Sequence, residues 1–310
     1  MRIVLVGPGI MAIPPTGWGA VEILIWDYKQ TLEKLGHEVK IVNTKNFNDI
    51  VAQTNEFNPD FVQIHYDPYW NICNQFECKN VAITSHYGYL DQPTKFGGYG
   101  GIFNGFLSLK NKIFALSPTI RDRYVSSGFD PTRIHVVPNG VRNDLFQFKG
   151  ECERPNDSIY LAKIDYRKRQ HKFHDIPNLY FAGNIADARY NKHNYLGEWS
   201  KQHLYVNLTT FANLVLLSDG EAHPLVCLEA MSAGLGLVVS EWATANLDTT
   251  LPFIDVIQEN KISDITYVTK VIEENKVKSI GMRKEIRQYV LDNFSWDTII
   301  NDFFLPAVEK

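Results

Sequence analysis

The sequence predicts an α/β chain built as two doubly wound halves, and three observations lead there. Short apolar runs rich in strand-forming residues recur at Arg2 to Val6, Val39 to Val42, Phe61 to Ile64, Val81 to Ile83, Ile113 to Leu116 and Ile134 to Val137. Runs this short and this uniformly apolar mark strands buried on both faces, as in parallel sheets. The same alternation resumes at Ile159 to Ala162 and continues through Leu179 to Ala182, Leu214 to Leu217 and Leu235 to Val239. The length of 310 residues suits two domains, at about 150 residues each.

Taken in order, the first strand ends at Gly7-Pro8-Gly9, a turn. After a loop with prolines and glycines, Val21, Leu24, Ile25, Tyr28, Leu32 and Leu35 recur at helical spacing until Gly36 stops the helix. Ser117-Pro118 opens another helix, with Pro at its first position, that runs to about Ser127 before Gly128. Pro138-Asn139-Gly140 closes the last strand of this half, which spans 1–145. The polar stretch 146–157, with Gly150 and Pro155, lacks periodicity and reads as a linker. The second half, 158–294, carries helices at Lys201 to Thr209, Leu225 to Ala233, Asp264 to Glu274 and Arg283 to Asn293. A last helix occupies 295–310, with Ser295 as its N-cap.

Composition excludes several classes. Lys and Arg number 31 against 35 Asp and Glu, a net charge of −4, so the chain lacks the basic face that phosphate-backbone binding needs, and no nucleic-acid partner is expected. No apolar run approaches the ~20 residues that span a bilayer. The apolar start is too short for a signal core, which points to a cytoplasmic protein. Cys73, Cys78, Cys152 and Cys227 show no paired spacing, so free thiols are expected and a zinc site is not. The aromatic stretch from Tyr99 to Phe114, with Lys110 and Lys112, suits peripheral contact with a lipid surface less well than it suits a buried helix and strand.

Four stretches carry chemistry. Ser218 to Gly234 lies between two apolar strands, with Pro224 where a helix begins and Gly234 where it ends. The amino end of that helix then stands at the carboxyl edge of a parallel sheet, where α/β folds bind ligands and where the N–H groups of Leu225 and Val226 suit a phosphate. Glu221 precedes the helix and Glu229 lies one turn inside it, with seven residues between them. A carboxylate at Glu229 suits a ribose diol; the plainer reading, a dipole-complementing loop acid and an exposed helical acid, is the one the pair alone favours. In the stretch Ile159 to Lys172, Lys163 and Lys168 are placed to neutralise a diphosphate, whereas Arg167, Arg169 and Lys172 read as a solvated basic loop. Gly17 and Gly19, after the first strand, allow close backbone approach to a ligand, or simply make a turn. His86, just past Val81 to Ile83, is placed at the ligand edge to hydrogen-bond a sugar or move a proton, or is an ordinary loop histidine.

Together these stretches resemble the retaining glycosyltransferases of the GT-B fold, in the "group 1" family, glycosyltransferase family 4. The resemblance rests on Glu221-x-x-Pro-Leu-Val-x-Leu-Glu229-Ala-Met, on Lys163 with Lys168, on Gly17, Gly19 and Glu22, on Thr84 to Gly88, and on Ile134 to Val141 and Phe294-Ser295-Trp296, all collinear. It implies two Rossmann-like domains facing a cleft, with the last helix packing back toward the first. It implies a nucleoside-diphosphate sugar as donor and transfer with retention to a glycan, lipid or small-molecule acceptor, without a metal or other cofactor. Lys163, Lys168, Leu225 and Val226 would hold the diphosphate, Glu229 the ribose and Glu221 the transferred sugar. Gly17 and Gly19 would close over the phosphates, and His86 would stand near the reacting carbon.

The sequence departs from that pattern. There is little room for the usual helices between Lys168 and Tyr180 or between Gly183 and Tyr195, so the second domain is expected to be reduced. Its sheet would then expose an apolar face, which a second copy of the chain or the last helix would cover. A sugar-nucleotide epimerase and a non-catalytic sugar- or nucleotide-binding subunit are the rival readings. A dinucleotide-dependent oxidoreductase is disfavoured by the absent G-x-G-x-x-G fingerprint.

Overall fold

In the computed structural model, which describes residues 1–88, 90, 97–191 and 193–310, the strands form two wholly parallel sheets. The chain divides into two units, Met1–Gly140 with Trp296–Lys310, and Val141–Ser295.

Unit 1 runs β1 (Arg2–Val6), α1 (Ala20–Lys34), β2 (Glu38–Val42), α2 (Phe47–Phe57), β3 (Phe61–Ile64), β4 (Val81–Ile83), α3 (Gly100–Leu107), β5 (Lys112–Ala115), α4 (Pro118–Ser126) and β6 (Ile134–Val136). The strand order is β2-β1-β3-β4-β5-β6. The α1 helix buries Leu24, Ile25, Tyr28 and Leu32 of the stripe read from the sequence, whereas Val21 is half-buried and Leu35, just past the helix end, is exposed. Ser117 caps α4 by accepting the Ile120 N–H, and Pro118 takes the first helical position. The α2 helix was not anticipated; Asn46 caps its start and Asn58, at φ 48°, ends it. The Tyr99 to Phe114 stretch is interior: Phe103, Phe106, Leu109, Ile113 and Phe114 are buried. Lys112 is occupied by Asn80 Oδ1 and by the Ala307 and Val308 carbonyls. The closing segment is helical from Trp296, with a π-helical stretch Ile299–Phe304. Its Trp296 meets Tyr28 edge-on at 4.6 Å, and Phe304 packs against Phe61 and Phe114.

Unit 2 runs β7 (Arg154–Leu161), β8 (Leu179–Ala182), α5 (Lys201–Asn207), β9 (Phe211–Leu216), α6 (Leu225–Ser232), β10 (Gly236–Ser240), β11 (Ile254–Ile257), α7 (Ile265–Gly281) and α8 (Arg283–Phe294), with strand order β11-β10-β9-β7-β8. The β7 strand starts five residues earlier than Ile159. Its pairing to β9 is irregular between Arg154 and Ser158, which is how Pro155 is accommodated. Gly234, at φ 86°, stops α6; a Cβ there would also lie 2.8 Å from the Phe148 ring.

The two helices expected to be missing are indeed absent among the described residues, replaced by a single turn at Gln170–Lys172 and by coil over 183–191 and 193–200. The expected bare apolar face is not there, however. Phe173, Ile176, Tyr190 and Trp199 are buried. The Tyr190 ring lies 5.3 Å from Phe181, and Trp199 lies 6.1 Å from Phe211. Large aromatic side chains carried on coil take over the burial that helices would provide. None of the exposed large hydrophobic residues described in unit 2 (Leu145, Tyr166, Ile265, Tyr267 and Val277) lies on a strand.

Arg283 holds unit 2 together from within. Its buried guanidinium donates to the carbonyls of Lys149, Phe211, Thr209 and Ala233. Burial lowers its pKa from the usual value. Replacement of Arg283 by Met should leave those carbonyls unpaired in the interior and cost roughly 3–5 kcal/mol. Urea unfolding monitored by circular dichroism checks this; a loss below ~1 kcal/mol would contradict it.

Candidate functional site

In unit 2, β7 lies between β8 and β9, so the chain reverses its direction of winding at the carboxyl end of β7. Ligands of open α/β sheets bind outside such a switch point. The loop after β7 and the loop after β9 flank it, and they are tied together. Asp165 Oδ1 accepts the N–H groups of Arg167 and Lys168, each at 3.0 Å, which folds the basic loop into a turn. The Tyr160 hydroxyl donates to the Lys168 carbonyl and accepts the Leu217 N–H at 2.9 Å. The Asp219 N–H donates to the Arg167 carbonyl at 2.8 Å.

This scaffold brings Lys168 and Glu221 together. The Lys168 ammonium is in ion-paired contact with Glu221 Oε1, and both side chains are mostly buried. Just beyond, Pro224 precedes α6 in extended backbone. The N–H groups of Leu225 and Val226, in the first turn, have no intrahelical acceptor. Glu229 follows one turn on, half-buried. The buried Cys227 thiol has its pKa pushed up by burial, then by Glu221 and Glu229, while Lys168 pulls it down. One thiol at the helix start therefore feels all three charges. Lys163 stands apart: it is exposed, and its ammonium has no ion pair or hydrogen bond among the described residues. Arg169 is not a solvated loop residue but is buried, paired to Asp219 at 2.7 Å and to Glu259 at 2.9 Å. The run Arg167 to Lys172 has too many charges in sequence for periodicity to show which one turns inward.

In unit 1 the corresponding switch point lies between β1 and β3. The loop after β1 is anchored by Asn43, which accepts the Gly9 N–H and donates to the Met11 carbonyl, both at 2.8 Å. Gly17 faces open space, whereas a Cβ on Gly19 would lie 2.6 Å from Glu22 Oε2. Gly19 thus makes room for the buried Glu22 carboxylate. His86 Nε2 lies 3.1 Å from Nδ1 of the buried His65, with the rings stacked. Burial lowers the His86 pKa to about 4, and burial and then His86 lower that of His65 well below its usual value. Both are neutral at pH 7. Asp67, two residues past His65, is buried and raised to about 7 by burial, against a hydrogen bond from Ser85 that lowers it. Among the described residues His65 Nε2, Asp67 Oδ1 and His86 Nδ1 find no hydrogen-bond partner. His65 and Asp67 were legible by the rule that found His86, since both directly follow an apolar strand.

No protein-family model and no curated protein sequence matches the chain. Solved structures do. Sucrose-phosphate synthase from Thermosynechococcus elongatus aligns at a TM-score of 0.74 with 15% identity, covering 96% of each chain. HepE of Anabaena, in complex with UDP and glucose, aligns at 0.73 with 13% identity, covering 100% of this chain and 99% of its own. The lipopolysaccharide outer core galactosyltransferase WaaB aligns at 0.71 with 15% identity, covering 100% and 99%. The chain has the fold of these GT-B glycosyltransferases.

Asp67 makes a pH prediction. Its folded pKa is raised above the unfolded value of 3.8. Between about pH 4 and 7 the unfolded chain releases this proton while the folded chain keeps it. The associated stability is fully present below about pH 4 and is lost as pH rises through about 7. The loss is at most ~4 kcal/mol for a shift of about three units. Asp67→Asn should remove this component, so the stability difference between variant and wild type grows in the variant's favour from pH 4 to pH 8. Urea titrations across that range test it; a pH-independent difference would refute the assignment.

Proposed function

We propose that the protein is a glycosyltransferase that moves a sugar from a nucleoside-diphosphate sugar to an acceptor hydroxyl with retention of configuration. The observation that carries the reading is the Lys168–Glu221 pair beside the open amino end of α6, with Glu229 one turn further on. A diphosphate needs fixed positive charge and oriented N–H donors; Lys168, Leu225 and Val226 supply both within one loop and one helix turn, and Lys163 adds charge from the rim. The Glu229 carboxylate accepts the ribose hydroxyls, and Glu221, held in place by the Lys168 ammonium, accepts those of the sugar. The names of the neighbours add support, since HepE is described with UDP and with UDP-glucose.

On the same reading His86 hydrogen-bonds the transferred sugar, and the backbone at Gly17 and Gly19 approaches the donor phosphates. The reaction breaks the bond from the anomeric carbon to the phosphate oxygen, which leaves with its electron pair. The acceptor oxygen bonds the same carbon on the same face and gives its proton to the departing phosphate. The lysines and the helix end hold the charge that develops on that phosphate, so no metal is required in this proposal.

The test is a thermal-shift panel of UDP, GDP, ADP, CDP and dTDP with EDTA present, in which a ligand at ~100 times its Kd adds about 2.7 kcal/mol of stability. One nucleotide should shift the wild type. Glu229→Gln should weaken that nucleotide roughly tenfold, the loss of one charge-assisted contact. Glu221→Gln should leave nucleotide binding within about twofold yet lower turnover of the matching donor about 10²-fold. Proton NMR of the product's anomeric signal tests retention. Binding without turnover of any donor would make the chain a binding subunit, and no shift with any nucleotide would overturn the reading.

A further inference from the structure

Lys168 and Glu221 are joined a second time, by a route that runs through Arg169. The Arg169 backbone sits in the left-handed region at φ 60°, where a side chain with a Cβ is disfavoured. That conformation turns its side chain inward, where it is only 8% exposed. Its two terminal nitrogens form a fork on Glu259, each bond 2.9 Å, and one of them also meets Asp219 Oδ1 at 2.7 Å. Glu259 follows β11, and Asp219 follows β9. Glu259 Oε2 in turn accepts the Trp242 indole N–H at 3.2 Å, and the Trp242 carbonyl accepts the Glu221 N–H at 3.2 Å. The circuit closes: Lys168 to Arg169 along the chain, then Glu259, Trp242 and Glu221, and back to the Lys168 ammonium through the ion pair. Four loops at the carboxyl edge of the sheet are thereby fixed to one guanidinium.

We propose that Arg169 is a positioning residue of the donor site, whose fork on Glu259 and Asp219 holds Lys168 and Glu221 in the arrangement that receives the diphosphate and the sugar. This rests on the glycosyltransferase reading. A bidentate guanidinium–carboxylate pair fixes direction as well as distance, which a lysine at the same place does not. Glycine would satisfy φ 60° without strain but would bring no guanidinium, so the strain is borne for what the side chain holds.

The experiment uses that difference. Arg169→Gly, Arg169→Met, Arg169→Lys and Glu259→Gln are compared with wild type for melting temperature and for affinity, by calorimetry at 15 °C, toward whichever of UDP, GDP, ADP, CDP or dTDP binds wild type most tightly. Arg169→Gly removes the clamp and the strain together, so it should melt closer to wild type than Arg169→Met does. Both should nevertheless bind the nucleotide at least tenfold more weakly, with Arg169→Lys recovering only part of the loss. Glu259→Gln, which keeps the fold's arginine paired to Asp219, should lose about threefold or more and carries the test if the arginine variants do not fold. Wild-type affinity in folded Arg169→Gly or in Glu259→Gln would overturn the positioning role while leaving the glycosyltransferase reading intact. Failure of wild type itself to bind any of the five would overturn that reading and this proposal with it.

Discussion

Parallel strand pairing governs where this chain can do chemistry. Parallel neighbours cannot be joined by tight turns, so each strand must be followed by a crossover that returns to the opposite edge. Every strand in both sheets therefore ends at the same side of its own sheet. Just past those ends stand His65 and His86 in unit 1 and, separately, Lys168, Glu221 and Glu259 in unit 2, within each unit far apart in sequence. The strand order sharpens this. With β7 between β8 and β9, the loops carrying Lys168 and Glu221 come from adjacent strands at the switch point, the crevice where open α/β sheets bind ligands.

The electrostatics of unit 2 follow from placing charges in that crevice. Lys168 and Glu221 are largely withdrawn from water, and an ion pair in such surroundings is costly unless its geometry is held. Here the geometry is held twice over: by Asp165 and Tyr160 on the lysine loop, and by Trp242 on the glutamate loop. The pair is thus organised before any ligand arrives, which is the condition under which fixed charges lower a barrier rather than spend energy on rearrangement. Arg169 offsets one of the two negative charges of the surrounding acids Asp219 and Glu259, which share its guanidinium.

Much of this was legible in the sequence, and the exceptions have physical causes. Strands buried on both faces announce themselves by continuous apolar runs, which is why β1, β3, β4, β8 and β10 could be placed within a residue or so, although the run Leu214 to Leu217 caught only the second half of β9. The β11 strand, Ile-Asp-Val-Ile at the sheet edge, lacks such a run, and α2 lies in a stretch whose asparagines look like loop until two of them are seen to cap it. The glutamates with seven residues between them were visible because the proline and glycine around them fix the helix. The role of Arg169 was not, since burial of one cation among five depends on acids 50 and 90 residues away. The covering of the unit 2 sheet by Phe173, Tyr190 and Trp199 was missed for a related reason: coil carries no period, so its apolar residues do not reveal which way they face.

The two units differ in how they present polar groups at their ligand edges, and the difference has a chemical meaning. Unit 2 offers fixed charge. Unit 1 offers neutral imidazoles: His65 and His86 share one proton position between Nδ1 and Nε2, and burial keeps both uncharged at pH 7. If His86 donates across that contact, its Nδ1 is an acceptor and His65 Nε2 carries a proton; if His65 donates, the two outward nitrogens exchange roles. The pair can therefore hold a donor or an acceptor at its two buried outer nitrogens without a change in net charge. Hydroxyl groups, which both donate and accept, are matched by such a pair, and phosphates, which only accept and carry charge, are matched by Lys168 and the open end of α6. Interchangeable neutral donors and acceptors in one unit and fixed charge in the other are thus two chemically different ways of organising polar groups past the strand ends.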